Sequence, residues 1–137
     1  FSTKGREPWI TTDIEGRVWA YLAEVANVHG MTALKVGGLE EHIHVVLEIP
    51  PPVPVSKAVQ LLKGNSSRWI RLTFPELDVF RWQDGYGVFT VSKSALPTTV
   101  RYAERQREAH LKRTFQDELR GLLSRRGVEY DERYLWR

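Results

Sequence analysis

The chain has 137 residues, which is enough for one domain with a single hydrophobic core. Its 42% hydrophobic and 27% charged residues exclude a collagenous or largely disordered protein, and the lack of cysteine excludes disulfides and thiolate metal sites. The net charge of +3 arises in the last quarter, where ten basic residues accompany seven acidic ones. No apolar stretch is long enough for a membrane helix or a signal peptide, so we expect a cytoplasmic protein without membrane contact.

Helical and strand periodicities alternate along the first part of the chain. Phe1 lies in a predicted strand, so we expect further residues before it. The spacing of apolar residues predicts a helix over 14–28. A strand over 31–36, a turn at 37–38 and a second strand over about 39–49 form a predicted hairpin.

Proline and glycine divide the rest of the chain into elements. These are a proline-rich connector over 50–54, an amphipathic helix from Val55 or Ser56 to about Leu72, a strand pair or one interrupted strand over 79–92, a helix from Ser94 or Pro97 to about His110, and a helical tail over about 113–137. The order predicts one α+β domain over 1–137. We expect a ferredoxin-like antiparallel sheet (βαββαβ) with helices on one face and an added C-terminal helix.

Two histidines in the second predicted strand are candidate metal ligands. His42 and His44 alternate with Ile43 and Val45, so both imidazoles lie on one face of the sheet. Two imidazoles on one face form half of a divalent-metal site. Taken alone, the pattern is more typical of polar residues on an exposed face.

A tyrosine and a glutamine lie one turn apart on the predicted C-terminal helix. Because Tyr102 and Gln106 are four residues apart, they share one face of the helix. An amide oxygen can complete a metal site, and a phenol can attack a phosphate once its proton is removed. The spacing alone is more typical of a tyrosine that packs against a sheet.

Short motifs along the whole chain carry a resemblance to a known family. In order they are Phe1-Ser2-Thr3-Lys4, Gly37-Gly38 ahead of His42-Ile43-His44, Leu62-Lys63-Gly64, Gly85-Tyr86-Gly87-Val88-Phe89, Tyr102 with Gln106, and Glu129-Tyr130-Asp131. The combination resembles the single-tyrosine HUH transposases of bacterial insertion sequences, the IS200-like family. The last motif makes the chain more similar still to the relatives associated with repetitive extragenic palindromes.

The resemblance implies a metal-dependent nuclease and strand transferase acting on single-stranded DNA that folds into hairpins. His42, His44 and Gln106 would hold Mg²⁺ or Mn²⁺, and Tyr102 would attack the scissile phosphodiester. The products would be a 5′-phosphotyrosine link and a free 3′-hydroxyl, which can later attack the link and rejoin the DNA. Glu41 stands where the family usually has Asp, so the carboxylate arm beside His42 is longer.

Basic side chains suggest where DNA would bind. The segment 49–75 contains four basic residues and no acidic one. The predicted DNA contacts are Lys4, Lys63, Arg68, Arg71 and Arg105, and Trp82 and Tyr86 are candidates for base stacking. Trp69 is a weaker candidate for stacking, because it lies on the apolar face of its helix.

Two other functions compete with an active transposase. The first is a domesticated module that binds hairpin DNA but has lost turnover. The second is a small metalloenzyme unrelated to DNA that combines the histidine pair with Glu41 or Glu104. A homodimer and a monomer are both compatible with the sequence, and a DNA partner would locate the protein at the nucleoid.

Overall fold

The structure is a computed structural model, and it describes residues 1–106. Its helices and strands are α1 (Thr12–Val28), β1 (Thr32–Gly38), β2 (Ile43–Glu48), α2 (Val55–Thr73) and α3 (Leu96–Glu104), with short 3₁₀ turns at Lys4–Arg6, Pro75–Leu77 and Lys93–Ala95. The α+β class is confirmed, and α1 and α2 match the predicted helices to within two residues at each end. The predicted extension of α3 to His110 and the tail over 113–137 lie outside the described residues.

The sheet is built around an antiparallel pair of strands. β1 and β2 pair from Thr32 with Glu48 to Gly38 with Ile43. Single bridges extend this pair, because Ser2 pairs with His42 and Thr3 pairs with Trp82. The lateral order is therefore β1, β2, the segment 1–3 and the segment around 82, which is the strand order of a ferredoxin-like sheet.

Two predicted elements are wrong. Gly37 and Gly38 form the end of β1 rather than a turn, and the chain reverses over 39–42, where the Leu39 amide donates to the carbonyl of His42 at 2.9 Å. Residues 79–92 form no regular strand. Only Trp82 makes a bridge there, and Gly85, three residues later, has a left-handed φ of 86°, which is unlike the extended backbone of a strand.

The hydrophobic core lies on one face of the sheet. β1 and β2 contribute Val36 and Ile43, while α1 and α2 cover them with a buried set that includes Val18, Leu22, Ala58, Leu62 and Ile70. Trp69 packs at the edge of this core, where its ring stacks on Tyr21 at 4.4 Å between centroids. Helix α3 packs on the opposite face, so the sheet separates the core from α3. No helix within residues 1–106 has the length and apolarity needed to cross a membrane.

Candidate active site

Strand β2 directs both histidines to the face covered by α3. Ile43, between them, is buried in the core on the other side. His42 is fully buried, and the rings of His42 and His44 meet edge to face with 5.2 Å between their centroids. The two imidazoles therefore lie side by side on one face of the sheet, as the alternation predicts.

Helix α3 brings the tyrosine and the glutamine to the same place. The Tyr102 ring lies against the His44 ring, with 5.7 Å between centroids. One turn later, Oε1 of Gln106 lies 3.0 Å from Nε2 of His42. The structure thus joins β2 and the residue before it to α3 and the residue that follows its C-cap, some sixty positions later in the chain.

The hydrogen bonds around His42 fix the orientation of its ring. Oε1 of Glu41 lies 3.1 Å from Nδ1 of His42, so the longer carboxylate arm does reach the imidazole. Nε2 of Gln106 donates to the Tyr102 carbonyl at 3.0 Å, which turns Oε1 of the amide towards His42. His42 therefore faces an acceptor oxygen at each ring nitrogen.

This arrangement suits a cation between the strand and the helix. A neutral imidazole carries one N–H and can donate to only one of the two oxygens, so the other nitrogen and oxygen direct lone pairs at each other. A cation bound between the two atoms would remove that repulsion. Among residues 1–106 no three His, Cys, Asp or Glu side chains form a metal-binding group. The Gln106 amide oxygen is a further donor that the structure places beside His42.

The reactive atoms of the site are shielded from solvent. The hydroxyl oxygen of Tyr102 and Nε2 of His44 are both buried. By contrast, the Glu104 carboxylate is partly exposed and pairs with Lys35 at 3.4 Å. This pairing disfavours the metalloenzyme in which Glu104 would act beside the histidines.

Residues 1–106 match the family model described as "Transposase IS200 like". The chain belongs to this transposase family. Two related IS200-like proteins show the range of similarity. The ISDra2 transposase TnpA of Deinococcus radiodurans is 25% identical over 92 residues, which are 64% of this chain and 66% of that protein. The transposase for insertion sequence element IS200 of Salmonella typhimurium is 37% identical over 84 residues, which are 58% of this chain and 53% of that protein.

The matched stretch thus spans about two thirds of the first relative and about half of the second. The fold agrees as well. A crystal structure of a transposase candidate from Deinococcus radiodurans R1 superposes with a TM-score of 0.64 at 24% identity, and the match covers 77% of this chain and 85% of that one. The likeness to the palindrome-associated relatives stays a prediction, since its tail motif lies beyond residue 106.

The basic residues predicted to contact DNA are spread over the surface of this IS200-like chain. Arg68 and Arg71 are exposed on α2, which covers the core face, so they lie across the sheet from Tyr102. Lys4 is exposed in the first 3₁₀ turn. Arg105 is exposed directly before Gln106 and lines a surface groove of about 350 Å³ between α1 and α3.

Lys63 has a structural partner rather than a free ammonium. Its Nζ donates to the carbonyls of Gln83 at 2.7 Å and Gly85 at 2.9 Å. Burial lowers the pKa of Lys63 below its usual value, and the negative charge of Asp84 raises it by a smaller amount. Lys63 therefore holds the segment that follows Trp82 against helix α2.

The two stacking candidates differ in exposure. Trp82 is only 7% exposed and donates from Nε1 to the Ser66 hydroxyl at 2.9 Å, so its ring belongs to the core. Tyr86 is 48% exposed and is available to a base. Sequence interpretation also missed the packing role of Gly37, which lies within β1 rather than in a turn.

Proposed function

We propose that this chain cleaves and rejoins single-stranded DNA through a covalent link to Tyr102. The proposal rests on two contacts on one face of the sheet. Tyr102 packs against His44, and Gln106 lies beside His42. A phenol beside a set of metal-binding donors is the combination that attack on a phosphodiester requires. Membership of a transposase family supports the same chemistry.

The proposed cleavage exchanges one phosphate ester bond for another and needs no ATP. The Tyr102 oxygen forms a bond to phosphorus while the bond from phosphorus to the 3′-oxygen breaks, and the phenol proton ends on the released 3′-hydroxyl. The phosphotyrosine keeps the energy of the phosphodiester, so a 3′-hydroxyl can reverse the step and rejoin DNA. His42, His44 and Gln106 would hold Mg²⁺ or Mn²⁺, which when bound would neutralise charge on the phosphate oxygens.

We propose hairpin-forming single-stranded DNA as the substrate, on the motifs shared with single-tyrosine transposases. Arg105 would contact phosphates near the cleaved bond, and Tyr86 would stack on an unpaired base. Arg68 and Arg71 would contact a distal part of the DNA hairpin. Lys4 would contact a different part of the same DNA. A homodimer would carry two complete sites, because all four site residues belong to one chain. The protein would act in the cytoplasm at the nucleoid.

A covalent-trapping assay tests the proposal. The protein is incubated with a labelled pool of hairpin-forming single strands and Mn²⁺ or Mg²⁺, with or without EDTA, and analysed under denaturing conditions. We expect an adduct that requires the metal and is absent with Tyr102→Phe. Binding without any adduct would replace the proposal by the domesticated module, and an adduct that survives Tyr102→Phe would remove Tyr102 as the nucleophile.

A further inference from the structure

Helix α3 lies directly on the backbone of β1 at Gly37. A Cβ atom added to Gly37 would be 2.0 Å from the carbonyl oxygen of Ala103 and 2.9 Å from its carbonyl carbon. Both atoms belong to the backbone, so no side-chain rotation can relieve the clash. Gly37 is therefore needed for the room it leaves, because its φ is not in the left-handed region.

The docking point adjoins the proposed nucleophile. Ala103 directly follows Tyr102, and Gly37 is the register partner of His44 across the two strands. The contact thus sets the height of α3 above the strand at the residue where the Tyr102 ring meets His44. A side chain at position 37 would lift that part of the helix and separate the two rings.

Two further contacts hold α3 in the same position. Nζ of Lys35, on the same face of β1 as Gly37, lies 3.4 Å from Oε1 of Glu104. Oε1 of Gln106, two residues after the end of α3, lies 3.0 Å from Nε2 of His42, directly before β2. Gly38 has a different role, because its added Cβ would clash with the His42 carbonyl inside the hairpin itself.

We propose that Gly37 is a positioning residue for the reaction, and that its missing side chain lets the helix that bears Tyr102 dock against the histidine strand. The proposal rests on the proposed function of Tyr102. It predicts that Gly37→Ala lowers the rate of the chemical step while DNA binding is retained. A displacement of about one ångström at a reacting group costs on the order of a hundredfold in rate.

Carbodiimide cross-linking measures the docking without any reaction on DNA. The reagent joins a lysine amine to a carboxylate that it touches, so the ion pair of Lys35 and Glu104 should give an amide that mass spectrometry detects. We expect at least a fivefold lower yield of this cross-link in Gly37→Ala. The control is Gly16→Ala in α1, because an added Cβ there meets no atom of residues 1–106 within 4 Å. An unchanged yield in Gly37→Ala overturns the proposal.

The kinetic test separates positioning from folding. We expect Gly37→Ala to slow adduct formation at saturating DNA at least tenfold, with the half-saturating DNA concentration within twofold of wild type. Equal rates in Gly37→Ala and Gly16→Ala overturn the proposal. If Gly37→Ala does not fold by circular dichroism, Glu104→Gln replaces it. Loss of the ion pair between β1 and α3 should then slow adduct formation severalfold at saturating DNA, and an unchanged rate overturns the proposal. Absence of adduct in every variant counts against Tyr102 chemistry, while the cross-link still reports on docking.

Discussion

The ring of His42 is held at both of its nitrogens. Glu41 contacts Nδ1 at 3.1 Å and Gln106 contacts Nε2 at 3.0 Å. The Glu41 carbonyl in turn accepts from the amide of Thr3 at 2.9 Å, which fixes the start of the histidine strand to the first residues of the chain. A carboxylate on Nδ1 leaves the lone pair of Nε2 for a metal, so in the proposed site Glu41 would decide which nitrogen is the ligand.

Glu41→Gln tests this role. The amide keeps the size of the side chain but removes the negative charge that orients the imidazole. We expect the Mn²⁺ concentration for half-maximal adduct formation to rise by about 10- to 100-fold. The measurement is a metal titration of the trapping assay, with Glu48→Gln as the matched control, since Glu48 is exposed at the end of β2. Superposable titrations of the two variants would show that Glu41 has no part in the site.

At the scale of elements, Lys63 joins helix α2 to the segment after Trp82. Its ammonium donates to two carbonyls of that segment, at 2.7 and 2.9 Å. Between them lies Asp84, and Gly85 itself has a left-handed φ of 86°. One partly buried lysine thus fastens the segment after Trp82 to helix α2.

The lowered pKa of Lys63 makes part of the stability depend on pH. Between the folded pKa and the ordinary value of 10.5, the unfolded chain binds more protons than the folded one. The free energy of unfolding from this group therefore increases with pH in that window. We expect the free energy of unfolding of wild type, measured with urea relative to that of Lys63→Met, to increase as the pH approaches 10.5. A shift in favour of Lys63→Met would mean that the carbonyl bonds outweigh burial and raise the pKa.

Local patterns were sufficient for some elements and not for others. Helices α1 and α2 could be predicted because apolar periodicity and the flanking proline and glycine act within a few residues. The alternation around Ile43 likewise placed both histidines on one face. Gly37 was misread because a glycine needed for close packing looks the same in sequence as one needed for a turn. The neighbour that requires it, Ala103, lies 66 positions later, and only the family resemblance linked α3 to the histidines.

Residues 1–106 as a whole form two layers on either side of the sheet. The core layer contains α1 and α2, and the opposite layer contains α3 with the candidate active site. The apolar groups that stabilise the fold are thus largely distinct from the groups that would act on DNA.

Leu22→Ala should therefore lower stability without affecting adduct formation, and Tyr102→Phe should abolish adduct formation without affecting stability. Leu22 is fully buried in the core, so its truncation should lower the free energy of unfolding by about 2–5 kcal/mol. Well below its melting temperature, this variant should still form the DNA adduct at the rate of wild type. Tyr102→Phe should unfold like wild type and form no adduct. Loss of adduct formation in folded Leu22→Ala would show that the two layers are coupled.

Strand β2 is the exception to this division, since His42 and His44 alternate with Ile43 and Val45. A shift of one residue would turn the imidazoles into the core and the aliphatic side chains towards α3. In evolutionary terms, we expect selection on folding to remove an insertion or deletion in the connection 39–42 even in a lineage that no longer needs DNA cleavage. A descendant that has lost activity should therefore show substituted histidines in a hairpin of unchanged length, with length changes confined to segments such as the proline-rich connector 50–54.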